Sequence, residues 1–325
     1  MHNATRSGAV LAFVATACGV GCSNSNSTPG ATPVTAQQAV FVSDVNATAN
    51  FALWSAVAPS LVAVAVTDAG ARAASTDAGI GPNAVAADAG DAAASDGATE
   101  DASTNAATAL AAALAAARAN VYYLPAGCAG ATASGSVVTY VLNNCTLPVA
   151  ATTVSGTITV AFTTQASATG ALGNLILQAQ ATNLMAGQAS LTFNRQALFT
   201  VSGTTGLLQT VADSFTSSGP TGDLASAAST TGTSTSGATV LDSLTWTAGA
   251  LCTLDNATYQ ITLNNGAYTE TFSNVSRCVN ECPQSGTVSL TNGSGTNIVF
   301  SYNGTSSLQV SGVSGSSSAT LVCGG

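Results

Sequence analysis

From residue 121 onward, apolar and polar residues alternate in short runs. Successive side chains of a strand point to opposite faces of a sheet, so this alternation indicates strands with one buried face. The run TITVAFT at 157–163 is typical, and residues 259–272 form two such runs around Asn264-Asn265-Gly266, a sequence that suits a hairpin turn. The pattern predicts a mainly β fold, an antiparallel β-sandwich or irregular β-barrel of about ten to twelve strands, with N-terminal helices packed on or beside it.

The segments before this β domain differ from it in composition. Residues 34–66 show partial helical spacing, and we expect one or two helices there, interrupted at Pro59. The apolar run LWSAVAPSLVAVAV within this segment suggests a membrane span, but its length and its proline favour a buried helix. Residues 67–102 are rich in Ala, Asp and Gly and contain no aromatic residue, which predicts a disordered acidic linker.

Two further segments complete the predicted organisation. Residues 103–120 have high helix propensity, and we expect the face formed by Leu110, Leu114 and Arg118 to lie on the sheet. Within the β domain, 121–325, the stretch 213–238 is dominated by Ser, Thr and Gly. That composition predicts a long loop.

Charged residues are only 6% of the chain, so hydroxyl and amide groups must supply most of its solubility. The chain has no lysine, and its arginines are scattered, which excludes the basic stripe that a nucleic-acid backbone would require. The five cationic residues are Arg6, Arg72, Arg118, Arg195 and Arg277.

The N-terminal sequence MHNATRSGAVLAFVATACGVGCSNSNSTPG has a positive start at Arg6, a short apolar run, and small residues before two cysteines. This order is typical of a secretory signal, and the apolar run is too short to span a membrane. The small residues before a cysteine resemble the lipobox of bacterial lipoproteins, in which that cysteine is acylated and becomes the mature N-terminus. The resemblance implies a signal peptide at 1–21, lipidation of Cys22 and a polar tether at 22–33.

Cys18 is the alternative lipidation site, although Ala15-Thr16-Ala17 before it could also be an ordinary cleavage site. Parity favours Cys22, because six cysteines then remain in the exported body and all of them can pair. Either cleavage removes His2, the only histidine. A mature chain without histidine has no Ser-His-Asp arrangement and no imidazole ligand for zinc.

The cysteines of CVNEC, at 278 and 282, could belong to a metal site or to disulfides. Zinc sites typically use paired C-x-x-C units or histidines, whereas an exported chain favours disulfides. Position 265, the centre of the predicted hairpin turn, is midway between Cys252 and Cys278 and predicts that they pair. The same reasoning pairs Cys128 with Cys145, and elimination then pairs Cys282 with Cys323.

The spacings GC…NNCT…P and CVNECPQSG…LVC resemble those of uncharacterised exported bacterial lipoproteins with a cysteine-bearing β body, over residues 121–325. The resemblance implies no known activity. No catalytic residue, cofactor or metal ligand is therefore assigned.

Carboxylates could still act in glycoside hydrolysis without histidine. Most of those in the β domain are interpreted as solvated turn or loop residues; the candidates are Asp213, Asp223, Asp242, Asp255, Glu270 and Glu281. Glu270 differs because it shares a strand face with Tyr268, and we expect it at a strand edge or rim. Arg195 is expected to extend across the sheet to solvent, and Trp246 to lie in the core or on the sheet surface. These four residues, Arg195, Trp246, Tyr268 and Glu270, are the speculative ligand contacts.

Together these features predict a non-enzymatic, lipid-anchored protein of the bacterial outer membrane or cell surface, with a structural, adhesive or ligand-capturing role. The expected partners are the membrane, through the N-terminal lipid, and an envelope or surface glycan or protein. The alternative is an envelope carbohydrate-binding module or a carboxylate-dependent hydrolase, so enzymatic activity stays open.

Overall fold

The computed structural model describes residues 34–76, 98–146, 153–164, 175–187, 189–218, 224–227, 232–233, 239–263, 266–315, 317–321 and 323. The signal segment, Cys18 and Cys22 lie outside these residues. The three helices are α1 (Ala36–Thr76), α2 (Ala98–Ala117) and α3 (Ala119–Tyr122). The strands are β1 (Ala129–Ser134), β2 (Val137–Thr146), β3 (Thr153–Thr164), β4 (Leu175–Ala186), β5 (Ala189–Ser202), β6 (Thr205–Ser218), β7 (Leu224–Ala227), β8 (Gly232–Thr233), β9 (Thr239–Val240), β10 (Asp242–Thr247), β11 (Cys252–Leu263), β12 (Gly266–Cys278), β13 (Ser285–Thr291), β14 (Asn297–Ser301), β15 (Ser307–Ser311) and β16 (Ser318–Thr320).

The predicted mainly β, antiparallel fold is confirmed, and most of it is one sheet. Fourteen strands form this sheet in the order β1-β2-β3-β4-β5-β6-β10-β11-β12-β13-β14-β15-β16, with β7 paired to β6 and β11, while β8 and β9 form a separate pair. The predicted hairpin is present, with Leu263 opposite Gly266 and Cys252 opposite Cys278. Within the described residues β1 and β16 do not pair with each other, so the sheet is open and is not a closed barrel.

β-bulges account for much of the curvature of the sheet. Register shifts interrupt β2, β3, β4 and β12, and on each of these strands a residue with positive φ lies at the shift. These residues are Asn144 (51°), Gly156 (130°), Asn183 (54°) and Asn274 (51°). Asparagine and glycine tolerate this backbone conformation, and a bulge bends its strand and increases the local twist. The sheet therefore has a concave face.

Helix α1 lies in this concave face. It contacts β3, β4, β5, β6 and β16, and almost every side chain from Val34 to Leu61 is buried. At its start, the carbonyl oxygen of Val34 accepts a hydrogen bond from Ser314 N at 3.0 Å. The prediction that the N-terminal helices pack on or beside the sheet therefore understates the burial of α1. A helix that is apolar or small on all sides is expected to be buried on all sides.

The bounds of α1 and α2 differ from the predicted segments. Helix α1 continues through Pro59 and reaches Thr76, beyond the predicted end at 66, and α2 begins at Ala98. The predicted linker, 67–102, thus overlaps both helices, because its alanine-rich ends have high helix propensity. The remainder, 77–97, lies outside the described residues.

Helix α2 packs through a different face from the predicted one. Leu110 is 60% exposed, whereas Thr108, Ala111, Ala112 and Ala115 are buried. These buried residues face α1 and the strands β1, β2 and β3, all of which α2 contacts. Small side chains allow backbones to approach closely, which explains why the alanine face is buried instead of the leucine face.

The predicted loop at 213–238 is partly strand. Strand β6 continues to Ser218 with the side chains of Phe215 and Ser217 buried, so the alternation of the strand extends into polar sequence. Strands β7 and β8 also fall in this range, and its other residues lie outside the described part of the chain. These short pieces raise the number of strands above the predicted ten to twelve.

The structure contains three disulfides, and they join the predicted pairs. The Cα atoms are 5.3 Å apart in Cys128–Cys145, 4.0 Å in Cys252–Cys278 and 4.9 Å in Cys282–Cys323. In the described part of the chain, no cluster of three or more His, Cys, Asp or Glu side chains could hold a metal ion. None of the helices in those same ranges combines the length and apolarity needed to cross a membrane.

Reduction of the disulfides should strongly destabilise the protein. The bridges span 17, 26 and 41 residues, and each loop of this size is worth about 3 to 4 kcal/mol in the chain-entropy model. We expect a reductant to lower the Tm sharply in a calorimetric scan, while EDTA leaves it unchanged. Unfolding by EDTA, with a Tm insensitive to reductant, would instead support the metal site.

Candidate functional site

The charged residues of the described strands all point towards the concave face. Their side chains are buried, so the outer surfaces of these strands carry hydroxyl, amide and apolar groups but no charge. The six residues are Arg195, Asp213, Asp242, Asp255, Glu270 and Arg277, with 0 to 3% of the residue, or 1% of the side chain for Asp213, exposed. We call these residues, together with the polar residues of α1 that meet them, the buried network.

Arg195 on β5 joins α1 to the sheet. Its Nε donates to Asp213 Oδ1 on the neighbouring strand at 2.9 Å. Its Nη1 donates to Asn50 Oδ1 at 2.5 Å and to the carbonyl oxygen of Asn46 at 3.0 Å, and its Nη2 donates to Asn46 Oδ1 at 3.2 Å. Because the two asparagines are four residues apart, they lie on the same face of α1. The planar guanidinium therefore fixes the rotation of α1 about its axis and its position above the sheet.

Each of the two asparagines also donates to a carboxyl group of the sheet. Asn46 Nδ2 donates to Glu270 Oε2 on β12, and Asn50 Nδ2 donates to Asp242 Oδ2 on β10. The hydroxyl of Tyr259 donates to the same Asp242 oxygen at 2.5 Å. Each asparagine amide thus bridges the Arg195 guanidinium and one acidic side chain, using its oxygen and its nitrogen separately.

A second cationic centre surrounds Arg277, nearer the start of α1. Its Nη1 lies 3.9 Å from Asp44 Oδ1, and its Nη2 donates to Ser43 Oγ and to the hydroxyl of Tyr302, both at 3.4 Å. The guanidinium also lies 5.1 Å from the centre of the Tyr302 ring. Asp44 and Ser43 belong to α1, so this centre too links the helix to the sheet.

Burial raises the pKa values of two acidic members of the network, Glu270 and Asp255. It raises the pKa of Glu270 to about 8, although the hydrogen bond from Asn46 and the nearby Arg277 act in the opposite direction. Burial also raises the pKa of Asp255 well above its usual range, and the neighbouring Asp242 adds to the effect. The phenol pKa values of Tyr259 and Tyr302 are raised as well, mainly by burial. A pKa of about 8 keeps Glu270 mostly protonated at neutral pH.

The concave face has little free space in this region. A cavity of about 10 Å³ is lined by Asn50, Thr253, Asp255, Arg277 and apolar neighbours, including Phe51 and Trp54. That volume accommodates about one water molecule. A larger ligand would have to displace α1.

Several residues lie where the sequence did not predict them. Arg195 and Glu270 were expected at solvent or at a rim, but both are fully buried, since α1 covers the sheet face that they share with apolar residues. Asp213 and Asp255 were expected in solvated positions and are buried for the same reason. Asp223 lies outside the described residues, and Glu281 is exposed.

The two aromatic candidates are also buried. Tyr268 and Trp246 are each 4% exposed. The Trp246 ring stacks on Phe199 at 5.6 Å, and it lies so close to Gly206 that a Cβ there would be 2.6 Å from ring atoms. With this packing the ring is not available as a platform for a sugar.

Sequence reasoning missed the partners that α1 supplies. Asp44, Asn46 and Asn50 received no role in the fold because the helix at 34–66 was predicted from the spacing of its apolar residues alone. A usable signal was present: polar residues four apart in an otherwise apolar, buried helix need partners of matching chemistry.

An uncharged cleft of about 300 Å³ opens where β10 and β11 diverge. The last paired residues of the two strands at that end are Thr245 and Leu254. Hydroxyl groups dominate the polar lining, which comprises Thr205, Thr245, Thr247, Thr253 and Ser276, beside Trp246, Ala250, Leu254 and Cys252 of the Cys252–Cys278 disulfide.

Removing the Arg195 charge should be costly. In Arg195→Gln the Asp213 carboxylate loses its buried cation, and breaking such a pair costs about 3 to 5 kcal/mol. We expect that loss in the free energy of unfolding measured in urea at neutral pH. Arg118→Gln, at an exposed arginine, is the control and should change stability by about 0.5 kcal/mol or less.

The double variant Arg195→Met with Asp213→Leu tests the cause of that loss. Replacing both partners removes the uncompensated charge, so stability should recover in part. Equal stability of Arg195→Gln and Arg118→Gln would contradict the central role of Arg195.

Comparison of the chain with protein families, with curated protein sequences and with solved structures finds no match. The features that bear on function are therefore the filled concave face, the uncharged outer strand surfaces, the disulfides and the hydroxyl-lined cleft.

Proposed function

We propose that this chain is an exported, lipid-anchored protein of the bacterial outer membrane or cell surface, in which the β domain acts as a non-enzymatic structural or adhesive scaffold. The observation that carries the proposal is the occupation of the concave face by α1. A sheet that captured a ligand in this face would need a cavity there, and the space beside the network accommodates about one water molecule. The proposal requires no cofactor.

The chemistry of the two sheet faces supports the scaffold role. The strand charges are buried against α1, and the outer surfaces present mainly Ser, Thr, Asn and Gln side chains. Such a surface attracts no particular charged partner by long-range forces, which suits contact with neutral envelope glycans or protein surfaces. Three disulfides favour an oxidising compartment, in agreement with export.

The hydrolase alternative receives no support from the acidic residues. Asp242 is only 1% exposed and Glu270 is fully buried, and both accept hydrogen bonds from α1. A substrate could reach them only after the helix had left. The carbohydrate-binding alternative keeps one supporting observation, the cleft between β10 and β11, whose volume is at the lower end of small-molecule sites.

The lipid anchor is tested by two cysteine variants in the producing bacterium. If Cys22 is acylated, Cys22→Ala should lose metabolic labelling by a fatty acid and leave the membrane fraction. Cys18→Ala, the matched control, should retain both properties. One acyl chain binds only marginally, so membrane retention also implies more than one chain. Label retained in Cys22→Ala and lost in Cys18→Ala would move the anchor to Cys18, and label retained in both would remove it.

Carbohydrate binding at the cleft is tested on an array of neutral oligosaccharides. Thr247→Val keeps the shape of the side chain but removes an exposed hydroxyl from the cleft, and losing one hydrogen bond should weaken binding about fivefold to tenfold. Thr157→Val, at an exposed threonine of β3, is the control and should bind as the wild type does. Absence of wild-type binding, or equal binding by both variants, would eliminate the cleft as a glycan site and leave the scaffold proposal standing.

A further inference from the structure

The buried network contains more acidic groups than cations. Two guanidiniums, Arg195 and Arg277, face five carboxyl groups, which are Asp44, Asp213, Asp242, Asp255 and Glu270. If each guanidinium balances one carboxylate, three carboxyl groups are in excess. A buried carboxylate without a countercharge costs several kcal/mol, so such groups take up protons instead of staying ionised. In agreement with this excess, the pKa values of Glu270 and Asp255 are raised at the interface between α1 and the sheet.

Glu270 is the proton carrier in most direct contact with the helix. It lies on β12 between β11 and β13, and Asn46 of α1 donates to its Oε2. The charged and titratable groups around it are Asp44 from α1, Arg195 from β5, Arg277 from β12 and Tyr302 after β14. Ionisation of Glu270 would add a negative charge beside Asp44 in a region that solvent does not reach.

Among the described residues, no disulfide joins α1 to the sheet. The three bridges join residues of the β domain to one another, and the contacts of α1 with the sheet are noncovalent. The helix can therefore separate from the sheet without the cleavage of a covalent bond, although the separation would expose the apolar core residues that α1 contributes. Local opening of this kind, with a lower free energy than global unfolding, is common in proteins.

We propose that the buried network is a proton-dependent latch: Glu270 keeps its proton while α1 is seated and releases it when the helix opens, so that rising pH loosens the helix. The latch goes beyond the scaffold role and does not depend on the lipid anchor. An opened helix would uncover the polar side chains of the network together with the apolar core residues around them.

The direction of the pH dependence follows from the Glu270 pKa, which is about 8 with α1 seated and near 4.5 once solvent reaches the group. The free energy by which protonated Glu270 stabilises the seated helix is fully present below pH 4.5, and it is lost progressively as the pH rises through 8. Over that window the equilibrium constant for opening should rise roughly tenfold per pH unit, and it should level off above pH 8. Ionisation of Asp255 would act in the same direction.

Amide hydrogen exchange of the oxidised full-length chain tests the latch. After correction for intrinsic exchange rates, peptides covering residues 34–61 should lose protection about tenfold per pH unit between pH 5 and 8, whereas peptides of β3 and β4 should change little. Glu270→Gln keeps the hydrogen-bond acceptor for Asn46 but has no proton to lose. The tenfold loss of protection per pH unit that Glu270 causes in peptides covering 34–61 should therefore be missing in this variant. Glu281→Gln, at an exposed carboxylate, should behave as the wild type does.

An infrared measurement on the wild type keeps the test decisive if Glu270→Gln does not fold. The carbonyl band of a protonated carboxylic acid should be present at pH 6 and should lose intensity between pH 7 and 9. Protection of α1 that is independent of pH, loss of protection shared equally by α1 and the central strands, or absence of the protonated band at pH 6 would each overturn the latch.

Discussion

The burial of the Arg195 guanidinium is the constraint on which the rest of the structure depends. Burying a guanidinium is costly unless its donors find acceptors, and here four acceptors lie in two directions. Asp213 supplies one from the adjacent strand, and Asn46 and Asn50 supply the others from α1. The helix therefore has one favourable rotation, and the sheet must curve enough to bring β5, β10 and β12 around it. The bulges at Asn144, Gly156 and Asn183 help to provide that curvature.

Residues whose partners are close in sequence were predictable. The alternation in 157–163 and the turn around Asn265 lead directly to strands and a hairpin, and the hairpin brings Cys252 opposite Cys278. The strand that continues through Ser217 was not predicted, because its polar side chains suggested a loop, and only the neighbouring strand reveals it.

The buried network could not be predicted because its members are distant in sequence. Asn46 and Glu270 are separated by 224 positions, and neither alternation nor helical spacing connects them. The faces of Arg195 and Glu270 were assigned correctly from their apolar neighbours, but what covers those faces was not. Once α1 occupies the concave side, the same alternation that suggested a rim position implies complete burial. The error concerned the helix and not the strands.

The distribution of charge in this fold is the reverse of the usual one. Charged side chains of soluble proteins normally face solvent, and burial is rare unless they are paired. In the described strands the few charges serve to seat the helix, while uncharged polar groups meet the solvent. The low charge content of this chain therefore does not mean that electrostatic interactions are absent. In the described strands they are concentrated at the interface with α1, where the low dielectric makes each interaction stronger.

The burial of Arg195 and Arg277 also limits how the folded protein can be degraded. Proteases that cleave after lysine or arginine need such a side chain in an accessible segment, and the chain contains no lysine. Among the arginines whose side chains the structure describes, only Arg118 is exposed. The arrangement that fastens the helix to the sheet thus also withholds two cleavage sites from trypsin-like enzymes.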